Sequence, residues 1–138
     1  MFQASPPEGI KALGQFRRSP TRENMQHMVR LFYPNEWYSE ERVDDRFNHA
    51  MIPGHLEARD EFSAAKNSDL SREVRNLKHE VLVVWGYQDY MVPVEGALRA
   101  LATIPNCRVH IWGGTSGHFV ATEHAEEFAR LAIDFLTH

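Results

Sequence analysis

Two side chains in the last third of the sequence have the types and the setting for proton-transfer chemistry: Asp89 in GYQDYMVP and His118 in WGGTSGHFVATEHAEEF. A carboxylate hydrogen-bonded to one imidazole nitrogen fixes the tautomer and tilt of the ring, leaving the other nitrogen to take a proton from a nucleophile or a water. Each residue also has a plainer reading, the aspartate closing a turn through its own backbone and the histidine as polar loop surface. The partner such a pair would serve is a serine on a sharp G-x-S-x-G turn. All seven serines, Ser5, Ser19, Ser39, Ser63, Ser68, Ser71 and Ser116, fail that pattern. The nearest miss is Gly114-Thr115-Ser116-Gly117, where the second glycine falls one place early.

The elements that must position Asp89 and His118 are legible from periodicity, and the chain changes character near residue 78. Before it the pattern is helical. Ser19-Pro20 or Thr21 opens a helix with Met25, Met28, Val29 and Phe32 at the i, i+3, i+4, i+7 spacing of a buried face, and Pro34 and Asn35 stop it. Ser39 caps a second helix that buries Val43, Phe47 and Ala50 and ends at Pro53-Gly54. A third carries Ala58, Phe62 and Ala65 on one side, and a short fourth carries Leu70, Val74 and Leu77.

After residue 78 strands and helices alternate. EVLVVWG is a continuous valine-rich run, as in a strand of a parallel sheet buried on both faces. Pro93 precedes a helix with Leu98, Leu101 and Ile104, RVHIWGG is a second strand, and a last helix buries Phe128, Leu131, Ala132 and Phe135. A crossover between parallel strands puts the loops after both strands at the same, C-terminal edge of the sheet. Asp89 and His118, 29 residues apart, therefore converge in space.

Composition narrows the classes. With 138 residues and 43% hydrophobic side chains the chain is the size of one globular domain. The formal charge of −4, with no long block of one sign, argues against nucleic acid as a partner. No run approaches the ~18 apolar residues of a membrane span, and the N-terminus has no signal-peptide core. Cys107 is alone, so there is no disulfide framework or thiolate metal cluster; the chain reads as soluble and cytoplasmic. The eight histidines contain no H-E-x-x-H spacing, and no metal ligand set is expected.

The segment VLVVWGYQDYMVP resembles the strand-W-G-x-x-D-x-x-V-P segment of the α/β-hydrolases, and VHIWGGTSGHFVATEHAEEFARLAIDFL resembles their strand-G-H-x-x-x-x-E-H-x-x-x-F ending. The helical part, PPEGIKALGQF followed by PTRENMQHMVRLFYPNEWYSEERVDDRF, is similar to the lid of the meta-cleavage product hydrolases, carbon–carbon bond hydrolases of aromatic-ring degradation. The resemblance implies an α/β fold in two parts: a helical lid over residues 1–78 and a β-α-β-α piece of the hydrolase sheet over 79–138. It makes Asp89 the triad acid and His118 the triad base. It also implies that Arg46 in DDRF holds a dienoate carboxylate, and that Phe32 and Phe119 line the substrate pocket. Phe119 stands where these hydrolases often carry tryptophan. No cofactor is implied.

The early strands, the oxyanion-hole loop and the serine elbow of that family have no counterpart here. The expectation is a C-terminal portion of such an enzyme, acting on a small-molecule substrate. It would be inactive without its serine-bearing half, and associated with that half or with itself through an exposed sheet edge. Three alternatives stay open. The chain could be a non-catalytic remnant or binding module, or an ester, epoxide or haloalkane hydrolase of the same fold. In a third, Gly113 to Gly117 between strand and helix would cradle an anion, although the spacing matches neither dinucleotide nor P-loop motifs.

Overall fold

The computed structural model describes residues 7–33, 37–64 and 69–137. Pro34 and Asn35 as a helix stop, Ala65 of the third expected helix, and Ser5 and Ser68 lie outside them. Five helices come first: α1 (Glu8–Arg18), α2 (Arg22–Phe32), α3 (Glu40–Ala50), α4 (His55–Ala64) and α5 (Ser71–Arg75). Then follow β1 (Val81–Gly86), α6 (Glu95–Thr103), β2 (Cys107–Trp112), α7 (Val120–Glu123) and α8 (Ala125–Thr137).

The helix starts follow local chemistry. The Thr21 side chain accepts the Asn24 amide at 3.3 Å and the Ser39 hydroxyl accepts the Arg42 amide at 3.2 Å, satisfying first-turn donors that have no partner within the helix. One core joins α1, α2 and α3 through Ala12, Phe16, Met25, Met28, Val29, Tyr33, Val43 and Ala50. Across their rims Arg22 of α2 pairs with Asp44 at 2.7 Å and Glu40 at 2.9 Å of α3.

Three features differ from the sequence expectation. α1 is absent from it, because the buried face of that helix is Gly9, Ala12 and Phe16, and two of these are too small to register as an apolar stripe. α4 turns Leu56 toward the core, while Phe62 is 81% exposed: the inward direction is set by the approach of α3. The faces of β1 and of α8 are half-buried rather than buried. Leu98 and Leu101 of α6, and Ile133 and Leu136 of α8, are exposed, since two strands offer these helices little sheet to cover.

β1 and β2 pair in parallel, with Val81 opposite Cys107 and Gly86 opposite Trp112. α6 is the crossover, so the chain leaves both strands at one edge. The helical part is anchored to that edge at Gly9, whose amide donates to the Tyr90 carbonyl at 2.9 Å. A Cβ on Gly9 would collide with the Met91 sulfur and sit 2.7 Å from the Tyr90 oxygen, so glycine permits this docking.

Candidate active site

The loop after β1 holds Asp89 with its side chain 6% exposed. One carboxylate oxygen, Oδ1, accepts the Met91 and Val92 amides at 2.8 and 2.9 Å; the other, Oδ2, lies 2.8 Å from His118 Nδ1. The turn-closing role and the imidazole-holding role thus coexist, one on each oxygen. With Nδ1–H donated to the carboxylate, Nε2 is the nitrogen left to accept a proton. A small cleft bounded by Trp85, Gly86, Asp89, Val92, His118 and Val120 borders the pair.

Burial pushes the Asp89 carboxyl up, but the hydrogen bond from His118 and the two amides outweigh it and hold the group below the ordinary carboxylate value. The unfolded chain therefore takes up this proton before the folded chain does as pH falls. Asp89 contributes its full stabilisation above about pH 4, the usual carboxylate range, and loses it progressively below. Urea midpoints of wild type and Asp89→Asn should converge as the pH falls below about 4. A gap that widens below that pH would contradict this linkage.

The loop presenting His118 is fastened on both sides. Glu123 accepts the Gly117 amide at 2.7 Å through Oε2 and the Phe119 amide at 3.2 Å through Oε1, so its carboxylate straddles the histidine. Ser116 is 4% exposed; its hydroxyl lies 3.3 Å from the same carboxylate and 2.9 Å from His124 Nε2. His124 stacks on Trp112, the last residue of β2, with ring centroids 5.2 Å apart. The Ser116 hydroxyl is thereby committed to holding the loop and makes no bond to His118. Ser39 caps α3, and no described serine side chain is hydrogen-bonded to His118.

Aromatic rings from both parts of the chain form a wall beside the imidazole. Phe32, at the end of α2, lies 5.2 Å from the His118 ring, and Phe119 lies 5.0 Å from it. Tyr33 stacks on Phe119 at 4.7 Å. Arg46 of α3 reaches over this wall, its guanidinium 5.6 Å from the Phe32 ring and 5.2 Å from both Tyr33 and Phe119, while Nη2 donates to the Tyr33 hydroxyl at 2.6 Å. All five residues singled out in the sequence, Phe32, Arg46, Asp89, His118 and Phe119, therefore meet in one place. Sequence reasoning missed Tyr33 and Glu123. Tyr33 directly follows the apolar stripe of α2, and Glu123 is the acid of the G-H-x-x-x-x-E-H pattern, a position without an assigned task until the loop is folded.

No protein-family model matches the sequence. The 2-hydroxy-6-oxononadienedioate/2-hydroxy-6-oxononatrienedioate hydrolase 2 of Pseudomonas putida is 38% identical over 144 residues, covering 99% of this chain and 49% of the relative. Hydrolase 1 of the same organism is 35% identical over 145 residues, covering 99% and 50%. Among solved structures, the meta-cleavage product hydrolase CumD of Pseudomonas fluorescens IP01 superposes with a TM-score of 0.79 at 25% identity, over 97% of this chain and 51% of that one. Over the residues it covers, the chain has the α/β-hydrolase fold. It is similar to the meta-cleavage product hydrolases, and it spans about half the length of the curated relatives it matches. A 2-hydroxy-6-oxo-6-phenylhexa-2,4-dienoate hydrolase from Rhodococcus shares the fold, with a TM-score of 0.78 at 19% identity. Among the described residues no helix is long and apolar enough to cross a membrane, and no cluster of three or more potential ligands is arranged to hold a metal ion.

Proposed function

We propose that this chain carries the lid and the acid–base pair of a serine-type hydrolase. Its substrates are dienoate products of aromatic-ring cleavage, and the bond it breaks is a carbon–carbon bond. The observation that carries the reading is the 2.8 Å contact between His118 Nδ1 and Asp89, set against an aromatic wall that a lid arginine overhangs. The names of the relatives, hydrolases of keto-dienedioic acids, support it. In this reading residues 1–78 form the lid and 79–138 part of the catalytic core. His118 Nε2 accepts a proton from the nucleophile or a water and returns it to the departing carbon, and Asp89 keeps the imidazole in the tautomer this requires. Arg46 clamps the dienoate carboxylate, and Phe32 and Phe119 pack on the diene.

The nucleophile and the oxyanion donors come from a serine-bearing segment beyond these residues. The half-buried faces of β1 and the exposed Leu98, Leu101, Ile133 and Leu136 suit addition of further strands and helices of a cytoplasmic partner segment, or self-association where that segment is missing. By itself the chain is inactive. Its second reading, a ligand-binding module without turnover, draws on the commitment of the Ser116 hydroxyl to His124 and Glu123.

Complementation separates the two. The chain is co-expressed with a serine-bearing N-terminal segment of a meta-cleavage product hydrolase, and cleavage of a vinylogous diketone and of a simple ester is measured. Turnover of both that requires both segments is expected. Arg46→Ala in that complex should raise KM for the dienoate by about 10- to 100-fold, the worth of a charge-assisted carboxylate contact, and change ester hydrolysis far less. Equal losses on both substrates would remove Arg46 from the carboxylate role, and absence of turnover in a well-folded complex would favour the binding module.

A further inference from the structure

Tyr33 is the rigid member of the aromatic wall. It closes α2, with its amide on the Val29 carbonyl at 2.9 Å, and at 6% exposure it belongs to the core of the first three helices. Its ring stacks on Phe119 at 4.7 Å with 19° between the planes, and Phe119 is the residue next to His118. Its hydroxyl accepts from Arg46 Nη2 at 2.6 Å. Arg46, by contrast, is a long, half-buried side chain with two directions open to it. One is the wall, where its guanidinium stands over Phe32 and Phe119. The other is a cavity of about 470 Å³ among the first four helices, which Arg46 lines together with Arg42, Asp45 and His49 and which Phe32, His118 and Phe119 do not border. Among the described residues no carboxylate lies within ion-pair distance of Arg46; the tyrosine hydroxyl is what holds its guanidinium at the boundary between the two.

We propose that Tyr33 is a positioning residue that aims Arg46. Its hydroxyl keeps the guanidinium on the His118 side of that boundary, and its ring, stacked on Phe119, sets how far the guanidinium stands from the imidazole. A charge-assisted hydrogen bond to an immobile ring selects one direction for a flexible arginine, and it takes one donor of the guanidinium while leaving the others for a carboxylate. One side chain of the lid thus touches both Arg46 and the residue next to His118, which keeps the two in register. This inference rests on the reading of Arg46 as a carboxylate clamp and adds the residue through which the clamp is directed. Phenylalanine at position 33 would keep the volume and the stack on Phe119 and remove only the acceptor.

The test compares Tyr33→Phe, Arg46→Ala and the double variant, each in complex with the serine-bearing segment, on dienoate and on ester. Tyr33→Phe should raise KM for the dienoate about three- to tenfold, the scale of one hydrogen bond, with kcat within about twofold of wild type and a far smaller change on the ester. In the Arg46→Ala background the same substitution should add nothing, because it acts only through the arginine. Nitrogen-resolved NMR of the arginine side chains in the 138-residue chain by itself reads the contact directly: the Arg46 Nη2 resonance should be distinct in wild type and averaged in Tyr33→Phe. Circular dichroism confirms that the variants fold. Equal losses on dienoate and ester, a loss of the same size with Arg46 already removed, or an Arg46 resonance indifferent to Tyr33→Phe would make Tyr33 a packing residue and overturn the proposal. If Arg46→Ala raises KM for the dienoate and Tyr33→Phe does not, the clamp stands and the aiming role fails. If Arg46→Ala has no selective effect, or the folded wild-type complex does not turn over, the clamp fails and the aiming role with it.

Discussion

Replacing His118 with alanine, in the enzyme reassembled from this chain and a serine-bearing segment, should lower kcat by on the order of 10⁴-fold or more while leaving the complex folded. The size follows from what the side chain does. Nδ1 is occupied by Asp89 at 2.8 Å, so Nε2 is the basic atom offered to a nucleophile, and no second imidazole replaces it. His124, the other histidine of the motif, is turned toward the Ser116 hydroxyl and stacked on Trp112. Asp89→Asn should fall nearly as far, because an amide in place of the carboxylate no longer selects the tautomer with Nε2 free. The check is single-turnover kinetics on dienoate substrate with far-ultraviolet circular dichroism alongside. Activity within tenfold of wild type in both variants would mean that the pair is structural.

Gly86→Ala should destabilise the chain by roughly 3 kcal/mol, the upper end for forcing a methyl group into filled space. Gly86 ends β1, and the loop carrying His118 passes directly over it. A Cβ there would collide with the Gly117 carbonyl oxygen and stand 2.7 Å from the Ser116 oxygen, and both are backbone atoms that cannot swing aside as a side chain would. The loop must lift, and lifting it carries His118 away from Asp89 and breaks the hydrogen bond from the Gln88 amide to the Ser116 carbonyl at 2.8 Å. Urea denaturation together with the low-field Nδ1 proton resonance of His118 reads both effects. Gly113→Ala is the control, with nothing within 4 Å of its added Cβ, and should change stability by less than about 0.5 kcal/mol. Similar behaviour of the two variants would show that the contact over Gly86 can relax.

What the amino-acid sequence determines by itself is whatever depends on near neighbours along the chain. The threonine and serine at the starts of α2 and α3, the 3.6-residue spacing of Met25, Met28 and Val29, and the valine run of β1 act within a few residues, so their pattern is visible without a fold. The meeting of Asp89 with His118 is also legible, because a parallel pair with a single crossover allows one handedness and brings both loops to one edge. The tertiary structure decided the contacts between remote segments. Gly9 and Gly86 read as ordinary glycines until another backbone is laid against them, and Phe62 reads as core until the approach of α3 leaves it facing water. Tyr33 gains a task only when α2 and α3 cross and its hydroxyl meets Arg46, and Glu123 only when the loop folds back so that one carboxylate reaches the amides on either side of His118. The physical reason is range: capping and periodicity are satisfied within a turn or two, whereas close approach, burial and the pairing of an arginine depend on where distant backbone is brought by packing.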